Sequence, residues 1–561
     1  MSQANAVSPD PYDVSPSFVQ RHADYVAAAV VFALTAALAV FAFPPFKAPE
    51  FAYAMLVPGT YWAYTKPRLK LFAWTIFAAQ AVAWTIILGW LHHVTWVGLF
   101  LLGPVVGAWI GVWYLAAWWT MPRILGQPTI MRLLALLALA AAWVLIEWTR
   151  TWLLGGFPWL PLAASQWERA SILQVAAYTG AYGVSFVLVA VNIGFAAYAH
   201  RLFREGAKGL NKRSQEFFLA LFLLLVCLTI HVQDTFNRGR YAVPFARIAV
   251  VQPDIPQEVK WDPAKAPGIF EALKTTTLAA AVTKPDLILW PEAVTPFPVR
   301  GNPDMKNFVE SLVQRAQSPL LLGSVAVEHG GLPSEQWFNA ALLVTPTGGL
   351  QTDYYSKRQL VPFGEFVPLR PVLGWLSKVV PIGADDFSRG ADSAPLAVPL
   401  RDRTAIFGPL ICYEDVFPEL ARRSALAGSD VLVVLTNNGW FGEGGAAVQH
   451  AAHSVLRAVE TRRPVLRCGN AGWSGWIDEF GNLRATLTRD KDGVIHTAPS
   501  AEGTIYFRGQ SVFSVTRDSR LIGQDSFYVV HGDWFVFVCA AVLLLGSGVL
   551  HHASAVVKPE E

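Results

Sequence analysis

The sequence predicts an α-helical transmembrane bundle of seven plus one helices, interrupted late in the chain by an inserted α/β domain. Three observations carry that fold class. Apolar residues make up 53% of the 561 positions and charged residues only 15%, against a usual charged share of about 25% in soluble domains. Between residues 71 and 122 there is no Asp, Glu, Lys or Arg, a stretch long enough for two crossings of roughly 20 residues each. From about 240 to 530 the polar content is ordinary, and short β-rich runs alternate with helical stretches. The net charge of +3 gives no argument for a nucleic-acid partner. Four Cys in so apolar a chain exclude both a disulfide scaffold and disorder.

In chain order, residues 1–24 form a polar tail with Asp10, Asp13 and Asp24, without the pattern of a cleavable signal. A bundle domain over 25–235 holds apolar runs at 25–43, 51–64, 71–91, 94–120, 131–149, 175–199 and 216–232. The second is short, and His92-His93 marks the turn between the third and fourth. An α/β domain occupies 240–530, an eighth crossing 533–551 and a tail 552–561. Loops after crossings two, four and six carry Lys66, Arg68, Lys70, Arg123, Arg132, Arg201, Arg204, Lys208, Lys212 and Arg213. Those after one, three and five carry only Lys47, Arg150 and Arg169. Positive charge stays on the cytoplasmic side, which places the insert outside. If the short second segment were re-entrant, the insert would face the cytoplasm.

Within the insert, strands are predicted at 246–252, 286–290, 320–327, 340–344, 405–412 and 431–436, and helices at 266–283, 304–317, 416–427 and 446–463. Most strands are continuous apolar runs, as in a sheet buried on both faces. Glu292, Lys357 and Cys412 stand at or beyond strand ends, where ligand and catalytic groups gather. Together they suit a nucleophilic site. The carboxylate takes the thiol proton, and the ammonium stabilises the thiolate and then an oxyanion. Plainer readings stand beside this one. Glu292 after Trp290-Pro291 also suits a turn and Lys357 a solvated edge, while Cys227 and Cys539 pack within apolar spans. Cys412 and Cys468, the insert's only pair, suit a structural disulfide on an oxidising side. His450 and His453 have metal-ligand spacing but no completing partner, which favours helix surface or packing.

Longer stretches carry a resemblance. Gln252-Pro253-Asp254-Ile255-Pro256-Gln257 with Lys260-Trp261-Asp262 come first, then Trp290-Pro291-Glu292, Ser356-Lys357-Arg358-Gln359 and Pro362-Phe363-Gly364-Glu365-Phe366. Asp386-Phe387-Ser388-Arg389-Gly390, Ile411-Cys412-Tyr413-Glu414, Asn438-Gly439-Trp440-Phe441-Gly442 and, in the bundle, Gly156-Phe157-Pro158-Trp159 follow. Their order and spacing resemble the nitrilase superfamily and, within it, the apolipoprotein N-acyltransferase family of the bacterial inner membrane.

The resemblance implies an αββα sandwich on the periplasmic side of a multi-pass inner-membrane protein. It implies Glu292 as general base, Lys357 as stabiliser and Cys412 as nucleophile, with Glu365 and Glu414 supporting and Tyr413 giving a backbone N–H to an oxyanion hole. Trp261 and Trp440 match tryptophans near the substrate pocket. The implied reaction is ping-pong: a membrane phospholipid donates an acyl chain to Cys412, and the α-amino group of the diacylglyceryl-modified N-terminal Cys of an apolipoprotein receives it, the last step of lipoprotein maturation. The lipid bilayer is a partner; no metal or organic cofactor is implied. Two positions depart from the pattern, Asn438-Gly439 where an acidic-small pair is usual and Cys468 where Ser or Thr is common, and both bear on the acyl pocket. Cys468 also raises the idea of a bond to Cys412 that silences the site. One rival reading is a membrane-tethered amidase or hydrolase passing the acyl group to water. Another is a transporter or lipid-binding protein, for which Glu147 is the nearest ionisable residue within a span.

Overall fold

The computed structural model describes residues 22–210, 214–236, 238–260, 262–367, 386–391, 394–499 and 502–556. The bundle comprises α1 (Ala23–Ala42), α2 (Val57–Ala63), α3 (Leu69–Ile87), α4 (Trp96–Thr120), α5 (Thr129–Thr149), α6 (Ala181–Leu210) and α7 (Gln215–Thr235). Among the described residues, seven helices are long and apolar enough to cross a membrane: all of these except α2, and α12 (Trp534–Val556) after the insert. The last helix thus runs past 551, into the segment read as a tail.

The short second run folds as a broken helix. A 3-10 turn, Pro49–Tyr53, precedes α2, with prolines at the starts of both pieces. At the break, Asn192 of α6 satisfies the freed backbone: Leu56 N–H donates to its Oδ1 and its Nδ2 donates to the Ala52 carbonyl, both at 2.8 Å. This is how irregular backbone is tolerated at membrane depth. The run starts with Glu50, paired with Arg169 at 2.8 Å near the insert, and ends with Tyr64, stacked on His200 at 4.5 Å. His200 adjoins Arg201, which with Arg132 flanks the buried Glu216 at the other end of the bundle. The run therefore extends from one end of the bundle to the other beside α6, although neither of its pieces is among the helices long enough to cross alone.

Helix α4 lies close against α3 because Gly103, Gly107 and Gly111, spaced four apart, face it. A Cβ on Gly107 would stand 2.6 Å from the Gln80 carbonyl oxygen, and one on Gly103 2.5 Å from Thr85 Oγ1. Small residues permit such backbone approach where burial from water does not drive association.

The insert is a four-layer sandwich. One sheet has the order β14-β1-β2-β3-β4-β5, from β1 (Ala242–Gln252), β2 (Leu287–Trp290), β3 (Leu320–Glu328), β4 (Gln336–Thr345), β5 (Gly349–Ser356) and β14 (Gly509–Asp518). The other has the order β11-β10-β9-β8-β7-β6, from β6 (Leu396–Pro399), β7 (Thr404–Ile411), β8 (Val431–Thr436), β9 (Val465–Gly469), β10 (Gly475–Ile477) and β11 (Leu483–Thr486). β12 (Thr488–Arg489) and β13 (Ile495–His496) form a small separate pair. Strands β1 to β3 run parallel, as do β7 to β9. Helices α8 (Ala266–Ala281) and α9 (Pro303–Ala316) cover the first sheet, and one apolar core lies between the sheets. The second sheet is covered by α10 (Pro418–Leu426) and α11 (Ala446–Thr461), whose apolar cluster is continuous with that of the bundle.

Gly107→Leu is expected to overpack the α3–α4 contact and cost about 1–3 kcal/mol. The thermal midpoint of the detergent-solubilised protein at fixed scan rate should fall; an unchanged midpoint would show that the two backbones are not in close contact.

Candidate active site

Glu292, Lys357 and Cys412 all emerge from carboxyl ends of strands, β2, β5 and β7. Each exit requires close backbone contact. Beside Glu292 the third strand carries Gly323, where a Cβ would lie 2.6 Å from the Glu292 Cα. Beside Lys357, Gly390 occupies a place where a Cβ would meet the Ser356 carbonyl oxygen at 2.4 Å. Cys412 does not end β7, as its sequence suggested. It opens a 3-10 turn, Cys412–Val416, with a left-handed φ of 51°. Such backbone strain in a non-glycine residue is held by its surroundings.

The three groups converge in a buried charge cluster. Lys357 Nζ donates to Glu292 Oε1 at 3.1 Å and to Glu365 Oε1 at 2.9 Å. Asn339 Nδ2 donates to the same two oxygens, at 2.8 and 2.9 Å. Glu292 Oε2 accepts from the Asn437 backbone N–H at 3.0 Å. Burial alone would lower the Lys357 ammonium, but Glu292 and Glu365 hold it above its ordinary value. Burial alone would likewise raise the Glu292 carboxyl, but Lys357 and Lys260 pull it below its ordinary value. Cys412 faces these charges with Thr436 as hydrogen-bond partner; burial foremost, and Glu292, push its thiol up to about 12. The arrangement therefore presents a neutral thiol beside an ionised carboxylate. Lys260, read only as part of a motif, is also buried here, and burial pushes it down to about 8.

Glu414 joins the lysine loop to the Cys412 turn. It accepts from the backbone N–H of Ile411, Arg358 and Gln359 and from the Tyr355 hydroxyl, at 2.8, 2.7, 3.2 and 2.7 Å. Glu365 also accepts from the Val361 N–H at 2.8 Å, closing its own loop. Tyr413 points its hydroxyl at the bundle, donating to the Gly156 carbonyl at 3.2 Å. Trp440 is 43% exposed on the turn Asn438–Phe441 and has no described contact with the charge cluster. Trp261 lies outside the described residues.

The disulfide reading is corrected. All four cysteines are free. Ile411 pairs with Leu435 and Leu435 with Cys468, so two strand spacings of about 4.8 Å separate the Cys468 and Ile411 backbones, beyond the roughly 7 Å limit for a disulfide. The Cys468 Sγ instead lies 3.4 Å from both the Val251 and the Leu289 carbonyl oxygens, which share its one S–H. Of the two readings for His450 and His453, surface or packing, packing holds: both are buried, and His450 Nε2 lies 2.7 Å from Asp415 Oδ1 and 3.1 Å from the Cys412 carbonyl oxygen. The sequence reading missed Asn339, whose signal was a lone amide within an apolar strand, and missed the Asp415–His450 pair, which has no local signal.

Two family models match the chain: the apolipoprotein N-acyltransferase N-terminal domain over residues 35–194 and carbon-nitrogen hydrolase over 247–509. Among curated proteins, the apolipoprotein N-acyltransferase of Geobacter metallireducens is 33% identical over 419 residues, 72% of each chain. That of Allorhizobium ampelinum is 30% identical over 490 residues, 79% of this chain and 88% of the relative. Among solved structures, the Nesterenkonia amidase superposes with TM-score 0.35 at 17% identity, covering 51% of this chain and 96% of that one.

Glu414→Ala strands three backbone donors and a phenol in a buried place, at a cost of about 3 kcal/mol or more. The thermal midpoint should fall clearly, and a wild-type midpoint would mean that the carboxylate does not tie the two loops together.

Proposed function

The chain belongs to the apolipoprotein N-acyltransferase family and is a multi-pass membrane acyltransferase; on that premise we propose how this molecule performs the transfer. A membrane phospholipid is the acyl donor, and the α-amino group of the lipid-modified N-terminal Cys of an apolipoprotein is the acceptor. In the first half-reaction Cys412 Sγ attacks the donor's ester carbonyl while Glu292 takes the thiol proton. The Lys357 ammonium offsets the negative charge of the tetrahedral intermediate, and the Tyr413 backbone N–H is the proposed second donor. The C–O bond breaks, Glu292 returns the proton to the leaving alkoxide, and a lysophospholipid departs from an acyl-Cys412 thioester. In the second half the free amine attacks the thioester, Glu292 accepts the amine proton, the C–S bond breaks, and the proton passes back to the Cys412 sulfur. An amide results.

The observation that carries this reading is the ionised Glu292 beside a neutral, buried Cys412, with Lys357 salt-bridged between Glu292 and Glu365. A thiol raised to about 12 holds almost no thiolate at neutral pH, so attack needs a base positioned to act in the same step. The side of the membrane is argued from charge. Lys66, Arg68, Lys70, Arg123, Arg132, Arg201 and Arg204 belong to the segments at the bundle end away from the insert. By the charge rule that end is cytoplasmic, which supports a catalytic domain on the periplasmic side of the inner membrane, level with the outer-leaflet lipids. We assign the bundle to 25–235 and the catalytic domain to 240–530.

Incubation of the purified protein with phospholipid should add one acyl mass to the wild type and none to Cys412→Ala, and a diacylated lipopeptide should discharge it with gain of an amide-linked chain. Discharge to water with no acylated lipopeptide would instead make the protein a hydrolase. Because the Glu292 carboxyl lies below its usual value of 4.5, its base form persists across the neutral range and is lost only as pH falls below about 4.5. The acid limb of kcat/KM for the phospholipid donor, which reports the first half-reaction alone, should lie there, with no thiol limb up to pH 9. A limb near pH 8 in that parameter that survived Lys260→Met would belong to a preformed thiolate and would contradict the concerted step; the acceptor's α-amino group titrates only in the second half-reaction.

A further inference from the structure

Helix α11 is buried along its whole length, and its polar side chains divide between two clients. Gln449 and His453 face the bundle, while His450 and Ser454 face the nucleophile turn. The amide of Gln449 is fully used: Oε1 accepts the indole N–H of Trp90 at 2.8 Å and of Trp159 at 2.9 Å, and Nε2 donates to the Pro44 and Ile87 carbonyls, both at 2.9 Å. Ile87 is the last residue of α3, so Gln449 closes a carbonyl that no helical N–H can reach.

The loop over residues 156–162 sits between these groups and the bundle. The Trp159 carbonyl accepts from Arg150 Nη2 at 2.5 Å, and the Leu160 N–H donates to His453 Nε2 at 3.1 Å. The Trp159 ring rests 5.6 Å from the His450 ring and 5.4 Å from that of His453, centroid to centroid. His450 is the imidazole that holds the Cys412 carbonyl and Asp415; Asp415 is fixed in turn by Arg467 at 2.5 Å and Ser454 at 2.5 Å. A residue at φ 51° stays there only while its neighbours hold it, and here the neighbour is braced by a tryptophan of the bundle.

We propose that Trp159 and Gln449 are positioning residues for Cys412: the bundle fixes the 156–162 loop, the loop fixes the His450 ring, and that ring fixes the carbonyl of the strained nucleophile. The bundle then does more than hold the domain at the lipid surface, since the thiol reaches its attack geometry only when bundle and insert are packed together. This rests on the reading of Cys412 as nucleophile.

The test uses the full-length protein in detergent with Trp159→Phe, which keeps a ring and loses the indole N–H, and Gln449→Leu. Asp533→Asn is the comparator; it alters a contact between α5 and the residue that precedes α12, Trp148 Nε1 to Asp533 Oδ2 at 2.9 Å, away from α11. Two rates are measured: iodoacetamide alkylation of Cys412 by peptide mass spectrometry, and acyl transfer with kcat and KM for phospholipid resolved. Displacing a reacting atom by about 1 Å costs on the order of 100-fold. Alkylation and kcat are therefore expected to fall roughly 10- to 100-fold in both variants with KM within about 3-fold, and to stay at wild-type values in Asp533→Asn. A merely cohesive role would lower the thermal midpoint while leaving the alkylation rate and kcat of the folded protein intact, and that result would overturn the proposal. Should Gln449→Leu prove unstable, Trp159→Phe decides alone. If wild-type Cys412 takes up neither iodoacetamide nor an acyl chain, the nucleophile reading fails first, which is a different result from normal kinetics in the variants.

Discussion

The Lys357 ammonium is buried, and a charge removed from water must be paired and hydrogen-bonded or it is lost. Here two carboxylates from separate segments, Glu292 after β2 and Glu365 in the following loop, meet it at 3.1 and 2.9 Å, and Asn339 binds the same two oxygens. That requirement organises the domain. The ends of β2, β4 and β5 must converge on one point, Gly323 and Gly390 must lack side chains where the loops cross, and Glu414 must hold the cysteine turn against the lysine loop. With one ammonium between two carboxylates, Glu292 remains ionised in a place that by burial alone would neutralise it. Burial, and next to it the same carboxylate, raise the thiol beside it, so the proposed base and nucleophile are matched by one set of contacts.

A second constraint comes from lipid. In a bilayer every backbone polar group needs an internal partner, and two buried amides meet that need at irregular places: Asn192 at the break before α2, and Gln449 at the ends of α1 and α3. Gln449 belongs to the inserted domain, so satisfying the bundle's backbone also joins the two parts. The apolar cluster shared by the bundle and the outer face of the second sheet does the same without direction.

Much of this was legible in the chain. The crossings follow from charge-free runs, and the buried parallel strands from continuous apolar ones such as Val431–Thr436. Glu292, Lys357 and Cys412 were visible as polar residues ending such runs, and Glu365 and Glu414 through the resemblance their neighbours carry. Asn339 was hidden because an amide in a strand has no period to betray it. The cysteine pair misled because spacing in sequence says nothing of the two strand widths between them. For His450 and His453 spacing alone left helix surface and packing open; they are buried, and each hydrogen-bonds to another element.

By itself the sequence determined the layers, their order and the residue types at the reacting centre, because those depend on local composition, on hydrophobic period and on short motifs. Tertiary structure alone decided which groups meet. It set the left-handed turn at Cys412, the ammonium between two carboxylates and the tryptophan braced against His450. These depend on distances between segments far apart in the chain, and such distances exist only once the core has closed and each buried charge has found its partner.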